Sequence, residues 1–115
     1  MIAMRPIMEP DVINIINNGR YDGEIDGYVI MNGAEYLGHL LYRVDKSVTE
    51  ILDTSLTDNM LVDGAVRAGI AAGEHIGANS FIINKTNDAL AKWHEVFCKS
   101  DTEPYPNETI FNKCK

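Results

Sequence analysis

Between residues 57 and 77, apolar positions recur at helical spacing. Leu61, Ala65, Ala68, Ala72 and Ile76 lie on one stripe, with Val62, Val66 and Ile70 beside it. This spacing predicts a long helix. Thr57 or Asp58 offers a side-chain oxygen to its first free N–H groups. Gly77 is placed to end it in a left-handed cap. The pattern then changes to Ser80-Phe81-Ile82-Ile83-Asn84, a short apolar run that suits a buried strand. With residues 49–56 read as the strand before the helix, the segment forms a βαβ unit. Its two strands are expected to run parallel, because a helix crosses between them, and to diverge at their C-terminal ends.

Upstream, residues 6–18 hold one short helical pattern, with Glu9-Pro10-Asp11 at its start and Asn17-Asn18-Gly19 at its end. Residues 27–31 and 36–44 read as strands around Asn32-Gly33, a hairpin signal whose type I′ turn needs positive φ at both positions. Asp45-Lys46 predicts a second turn. Strands 27–31, 36–44 and 49–56 are expected to form an antiparallel meander. Downstream, Leu90, Trp93 and Phe97 share one face of a helix over 87–99. Residues 101–107 contain two prolines and read as a loop. Residues 108–114 read as a last edge strand. The expected fold is α+β, one domain over residues 1–115, with a mixed sheet and flanking helices.

Composition narrows the function. At 115 residues and 45% hydrophobic, the chain can bury the core of one domain. Its 17 acidic residues outnumber 10 basic ones, for a net charge of −7. Without a basic cluster, that charge repels nucleic acid and gives no attraction to anionic membranes. No apolar run reaches the ~18–20 residues of a membrane span. The apolar part of MIAMRPIMEPD is too short for a signal peptide, so a cytoplasmic location is expected. Cys98 and Cys114 read as two free thiols in a reducing compartment. The Asn107-Glu108-Thr109 sequon carries no weight without secretion. Neither the cysteines nor the three histidines have metal-ligand spacing, so no metal site is expected.

Four passages carry a resemblance. DGYVIMNGAEYLGHLLYRV looks like the second and third strands of the Gcn5-related N-acetyltransferases, the GNAT superfamily, and TEILDTSLT like the fourth. GEHIGANSFIIN looks like the passage into the fifth strand, and NDALAKWHEVFC like the fourth helix. Together they make residues 27–97 resemble a small, degenerate GNAT-like (acyl-CoA N-acyltransferase) core. The resemblance implies acetyl-CoA as cofactor and a small-molecule or protein amine as acceptor. In the family the cofactor lies where the fourth and fifth strands part, which here points to Asp53, Thr54, Ser55 and Leu56. Its pyrophosphate sits at the next helix start, here Asn59, Met60 and Leu61, and Asn87 opens the following helix. The same likeness implies Glu50 as general base and His94 as general acid.

The chain departs from the family at the phosphate loop. Thr57-Asp58-Asn59-Met60 contains no glycine, arginine or glutamine, and Asp58 brings negative charge to the place where two phosphates would bind. The N-terminal helical region is abbreviated, and Phe97-Cys98 stands where the family has Gly-Phe. The alternative is therefore a non-catalytic GNAT-like module that binds a ligand or partner without acetyl-CoA. A short domain of this kind also gains by pairing with a second copy of itself.

Read as residues alone, the candidates are ordinary. Glu50 is a solvated strand-end carboxylate, and His94 is an exposed helix histidine beside a core Trp93. His39 alternates along its strand and is either hydrogen-bonded or exposed. Asp63 and Arg67 form an exposed i, i+4 pair. Gly64, Gly69 and Gly73 leave one side of the long helix small. Each costs about 1 kcal/mol relative to alanine, which close packing against the sheet, a second helix or a ligand would offset.

Overall fold

The computed structural model describes residues 1–98 and 103–111. Six strands lie in chain order across one mixed sheet: β1 (Ile2–Pro6), β2 (Asp26–Asn32), β3 (Glu35–Asp45), β4 (Val48–Thr54), β5 (Ser80–Ile83) and β6 (Tyr105–Pro106). The helices are α1 (Pro10–Asn17), α2 (Asn59–His75), α3 (Asp88–Phe97) and α4 (Glu108–Phe111). The expected meander is β2–β3–β4, and β5 is parallel to β4.

One element at the N-terminal end goes beyond the sequence reading, and one expectation at the other end is corrected. β1 pairs antiparallel with β2 along Ile2–Pro6, although its five residues show too little alternation to announce a strand. Glu108–Phe111 is helical where an edge strand was expected, and the two-residue β6 lies inside the expected loop. The rest of the 108–114 expectation, Lys99 at the end of the α3 expectation, and Cys114 lie outside the described residues.

The two hairpin turns exchange character. Asn32 pairs with Glu35, so the first loop is Gly33-Ala34. Gly33 alone there has positive φ, at 63°, which is the II′ pattern. The two-residue loop with positive φ at both positions is instead Lys46-Ser47, at 52° and 69°. Asn32 thus remains in the strand, where its side chain accepts a hydrogen bond from the N-terminal ammonium at 2.8 Å.

The sheet separates two apolar clusters. On one face α2 and α3 bury Val62, Val66, Ile70, Leu90 and Trp93 against Ile30, Leu40, Ile51 and Phe81. On the other, α1 brings Ile13 to Leu41 and Leu52, with Ile7, Ile16, Tyr21 and Ile25 around them. Asp58, not Thr57, caps α2: its Oδ1 accepts from the N–H groups of Met60 and Leu61 at 2.9 and 3.2 Å. The helix ends as expected. Gly77 has φ 107°, and Ala78 N–H donates to Gly73 O while Gly77 N–H donates to Glu74 O.

The glycines of α2 face the sheet. A Cβ on Gly69 would meet Leu40 Cδ2 at 2.9 Å, and one on Gly73 would fall on Thr49 Oγ1. A Cβ on Gly64 would meet Met4 Cε of β1 at 2.7 Å. Close packing of α2 on the sheet is therefore what offsets their helix-propensity cost.

Candidate functional site

Pairing between β4 and β5 ends at Ile51–Ile83, and Asn84 N–H donates to Ile51 O at 2.9 Å. β4 continues to Thr54 while the other chain turns into the loop that leads to Asn87 and α3. β5 itself ends at Ile83, so the two strands stay paired to its last residue, and the expected divergence reduces to β4 running on alone. Just beyond Ile51, a bulge interrupts β3–β4: Leu41 pairs with Asp53 and Tyr42 with Ile51, leaving Leu52 as the extra residue. A bulge re-aims side chains at the end of a strand. Here Leu52 joins Leu41 beneath α1, and Asp53 turns toward a polar cluster.

Asp53 is almost fully buried and organises that cluster. Its Oδ2 accepts from Arg20 Nη2 at 3.0 Å and from His39 Nε2 at 2.8 Å, and its Oδ1 accepts from Asn87 Nδ2 at 3.1 Å. Burial by itself would raise the carboxyl's pKa. The hydrogen bonds from His39 and then Arg20, together with their charges, outweigh it and bring the pKa down from 3.8 to about 2. Arg20 is itself fixed at the end of α1, donating to Ile16 O and Asn17 O at 2.9 and 3.0 Å.

The backbone of β4 beyond Ile51 is also engaged. Leu52 O accepts from Asn84 Nδ2 at 2.8 Å and from the Tyr21 hydroxyl at 3.1 Å. Thr54 O accepts from Asn87 Nδ2 at 2.9 Å, while Asn87 Oδ1 caps α3 by accepting from Leu90 N–H at 3.1 Å. Thr54 Oγ1 donates to His39 O at 2.7 Å, and Ser55 Oγ accepts from His39 N–H at 3.1 Å. Leu56 is core. Of the expected cofactor residues, the structure brings Asp53, Thr54, Ser55 and Asn87 together, but bonded to one another and to neighbouring side chains.

Asn59 and Met60 lie elsewhere. They line a groove of about 310 Å³ between the start of α2 and α3, across from Ala89, Lys92, Trp93 and Val96. Met60 and Val96 are exposed at its rim. Leu61 contributes only a backbone N–H, already bonded to Asp58. Asp63 and Arg67 are paired at 2.8 Å, but they are half-buried rather than exposed. Asp63 also accepts from Trp93 Nε1 at 2.9 Å, and Arg67 donates to Ile110 O at 2.8 Å. The pair thus ties α2 to α3 and to the C-terminal segment.

Glu50 and His94 are not brought together. Glu50 sits earlier on β4, where its Oε1 accepts from Arg43 Nε at 2.7 Å. His94 is buried, against the expectation of an exposed histidine, and its Nε2 meets the Tyr105 hydroxyl at 2.6 Å in an aromatic cluster with Phe81 and Trp93. It belongs to that face of α3 because Leu90, Trp93 and His94 all turn inward. Cys98 is a buried free thiol, and burial pushes its pKa up to about 11. Among the described residues no three His, Cys, Asp or Glu converge as metal ligands would, and no helix is long and apolar enough to cross a membrane.

Arg20, Tyr21, Tyr36 and Asn84 join the site without any signal in the sequence, since each meets it only through tertiary contacts. No protein-family model and no curated protein matches the chain.

Proposed function

We propose that this chain is a GNAT-like module whose cofactor channel is filled by its own side chains, and that it acts by binding a ligand or partner rather than by transferring acetyl groups from acetyl-CoA. The element order and the parallel β4–β5 pair support the GNAT-like core. One observation carries the functional part: the backbone groups that such a cofactor would use are taken. Asn84 and Asn87 hold Leu52 O and Thr54 O, where pantetheine would pair with β4. Asp58 holds the Met60 and Leu61 N–H groups, where pyrophosphate would bind.

Binding acetyl-CoA would break these bonds, each worth about 1 kcal/mol net, and would place phosphates beside the Asp58 carboxylate. Isothermal titration calorimetry is expected to give a Kd on the order of 0.1 mM or weaker, no more than about 5.5 kcal/mol. Asp58→Asn keeps a capping side chain and removes the repulsion, so any binding present should tighten. Low-micromolar binding to the unmodified protein would overturn the reading.

A second reading, acetyl-CoA-dependent N-acyl transfer to an amine, is favoured by the groove between α2 and α3. It adjoins the α2 N-terminus, and Lys92 gives it one cation across from that helix start. In that reading Glu50 is the general base, and Glu50→Gln lowers turnover at saturating acetyl-CoA more than it weakens cofactor binding.

A further inference from the structure

Tyr36, His39 and Asp53 form a hydrogen-bonded line from the surface into the site. The Tyr36 hydroxyl lies 3.2 Å from His39 Nδ1, and His39 Nε2 lies 2.8 Å from Asp53 Oδ2. Residues three apart on a strand normally point to opposite faces. Here a second bulge intervenes: Ile30 pairs with Gly38 but Met31 with Tyr36, so Leu37 is the extra residue. That insertion reverses the alternation and brings Tyr36 to the face of His39.

The direction of each hydrogen bond follows from the carboxylate. Ionised Asp53 can only accept, so His39 Nε2 carries the proton. In the tautomer that leaves Nδ1 bare, Tyr36 is the donor, and this is the tautomer that can take its proton. The imidazole is held in place from both sides, because its own backbone is bonded to Thr54 Oγ1 and Ser55 Oγ. Its side chain is only 12% exposed, while Tyr36 is 54% exposed. A buried carboxylate, an oriented imidazole and an accessible hydroxyl are the three parts of a relay that activates a nucleophile.

We propose that Tyr36 is a nucleophilic phenol, with His39 as its base and Asp53 as the positioning residue, that takes acyl groups from activated esters and thioesters. Tyr36 Oη bonds to the carbonyl carbon, and the bond from that carbon to the leaving oxygen or sulfur breaks, its electron pair departing with the leaving atom. The phenol proton passes to His39 Nδ1 and from there to the leaving group. The products are an O-acyl tyrosine and a free alcohol, phenol or thiol. The charged and titratable groups around His39 are Asp53 from β4, Arg20 from the segment after α1, and Tyr36 from β3 itself. Asp53 and its bound Arg20 have opposite effects on the imidazolium formed in the step.

This goes beyond the binding reading and needs no coenzyme, so either can fail without the other. The test uses p-nitrophenyl acetate, following nitrophenolate release and mapping the acetyl group by peptide mass spectrometry. The expected result is acetylation of Tyr36, slowed at least tenfold in His39→Gln, whose amide keeps hydrogen bonds but cannot accept the proton. Tyr36→Phe, a change at an exposed position, should reduce release to the level of surface amines. Acetyl groups on amines alone, or equal Tyr36 rates in parent and His39→Gln, would overturn the proposal. Should His39→Gln fail to fold, the pH profile of the parent decides. A rate at Tyr36 that levels off above the titration of one histidine supports the relay. A tenfold rise per pH unit up to pH 9, the behaviour of a free phenol with a pKa of about 10, refutes it.

Discussion

Gly73→Ala is expected to destabilise the protein by about 2–3 kcal/mol, seen as a lower urea midpoint at unchanged slope. Alanine should by itself strengthen α2 by about 1 kcal/mol, so the steric cost has to exceed that gain. It does because the new Cβ would fall on Thr49 Oγ1, with Thr49 Cβ at 3.0 Å and Cγ2 at 3.2 Å. Thr49 cannot retreat, since it lies fully buried on β4 between β3 and β5. Gly64→Ala is the control. Its Cβ meets only the flexible end of Met4, so this change should be neutral or stabilising by up to about 1 kcal/mol. Thr49→Ala removes Oγ1, which has no hydrogen-bond partner among the described residues, and so should restore part of the loss in the double variant. A coupling of about 1 kcal/mol or more in that cycle is expected. Independent, additive effects would mean that α2 rides higher on the sheet than the geometry says.

The same contact explains what the sequence made legible. A long periodic stretch, a cap and a terminal glycine are local features, and α2 starts at its Asp58 cap and closes over Gly77 as read. The small side of α2 could also be assigned to close packing in general, but not to Thr49, Leu40 or Met4, which are distant in the sequence. The meander was legible through alternation and turn residues, yet its turns moved by one residue. Asn-Gly signals a hairpin without fixing which two residues form the loop, and the pairing of Asn32 with Glu35 decided it. β1 escaped notice because a five-residue edge strand carries almost no period. Glu108–Phe111 escaped because four residues are too few to separate helix from strand.

The site was legible only in part for a related reason. Asp53, Thr54, Ser55 and Asn87 were marked by likeness to a strand end and a helix start, and both places are where those residues lie. Two bulges, however, set which side chains face one another at that end of the sheet. No single-residue pattern announces a bulge. Tyr36 and His39 therefore look opposed in the sequence and touch in the structure. Arg20 and Tyr21 arrive from the segment after α1, whose path depends on the packing of Ile13 against Leu41 and Leu52. His94 illustrates the opposite failure: its position on α3 was known, but its burial depended on Tyr105, in a segment that read as loop.

Replacing Asp53 should have the second large effect, and its size should depend on pH. Asp53→Ala strands the His39 Nε2–H and one N–H of the Asn87 amide, whose other N–H keeps Thr54 O, while Arg20, whose side chain is 44% exposed, can turn to water. Two stranded donors and a lost partner predict a loss of about 3 kcal/mol near neutral pH. Asp53→Asn isolates the charge. The carboxyl's pKa falls from 3.8 to about 2 on folding, so the folded state binds this proton less readily than the unfolded chain. Its contribution, about 2 kcal/mol, is therefore present in full above the unfolded value and is lost as pH falls through the folded value. Asp26 acts in the opposite sense, since burial and the nearby Glu24 hold its pKa above the usual range, so total stability against pH mixes the two. The difference between parent and Asp53→Asn removes Asp26 and the other carboxylates from the comparison. Urea unfolding at pH 6 and pH 3 should show that difference shrinking by about 1 kcal/mol at the lower pH. A gap that stays constant would mean that Arg20 and His39 do not hold the carboxylate ionised, and the relay drawn from Tyr36 would lose the fixed acceptor that orients His39.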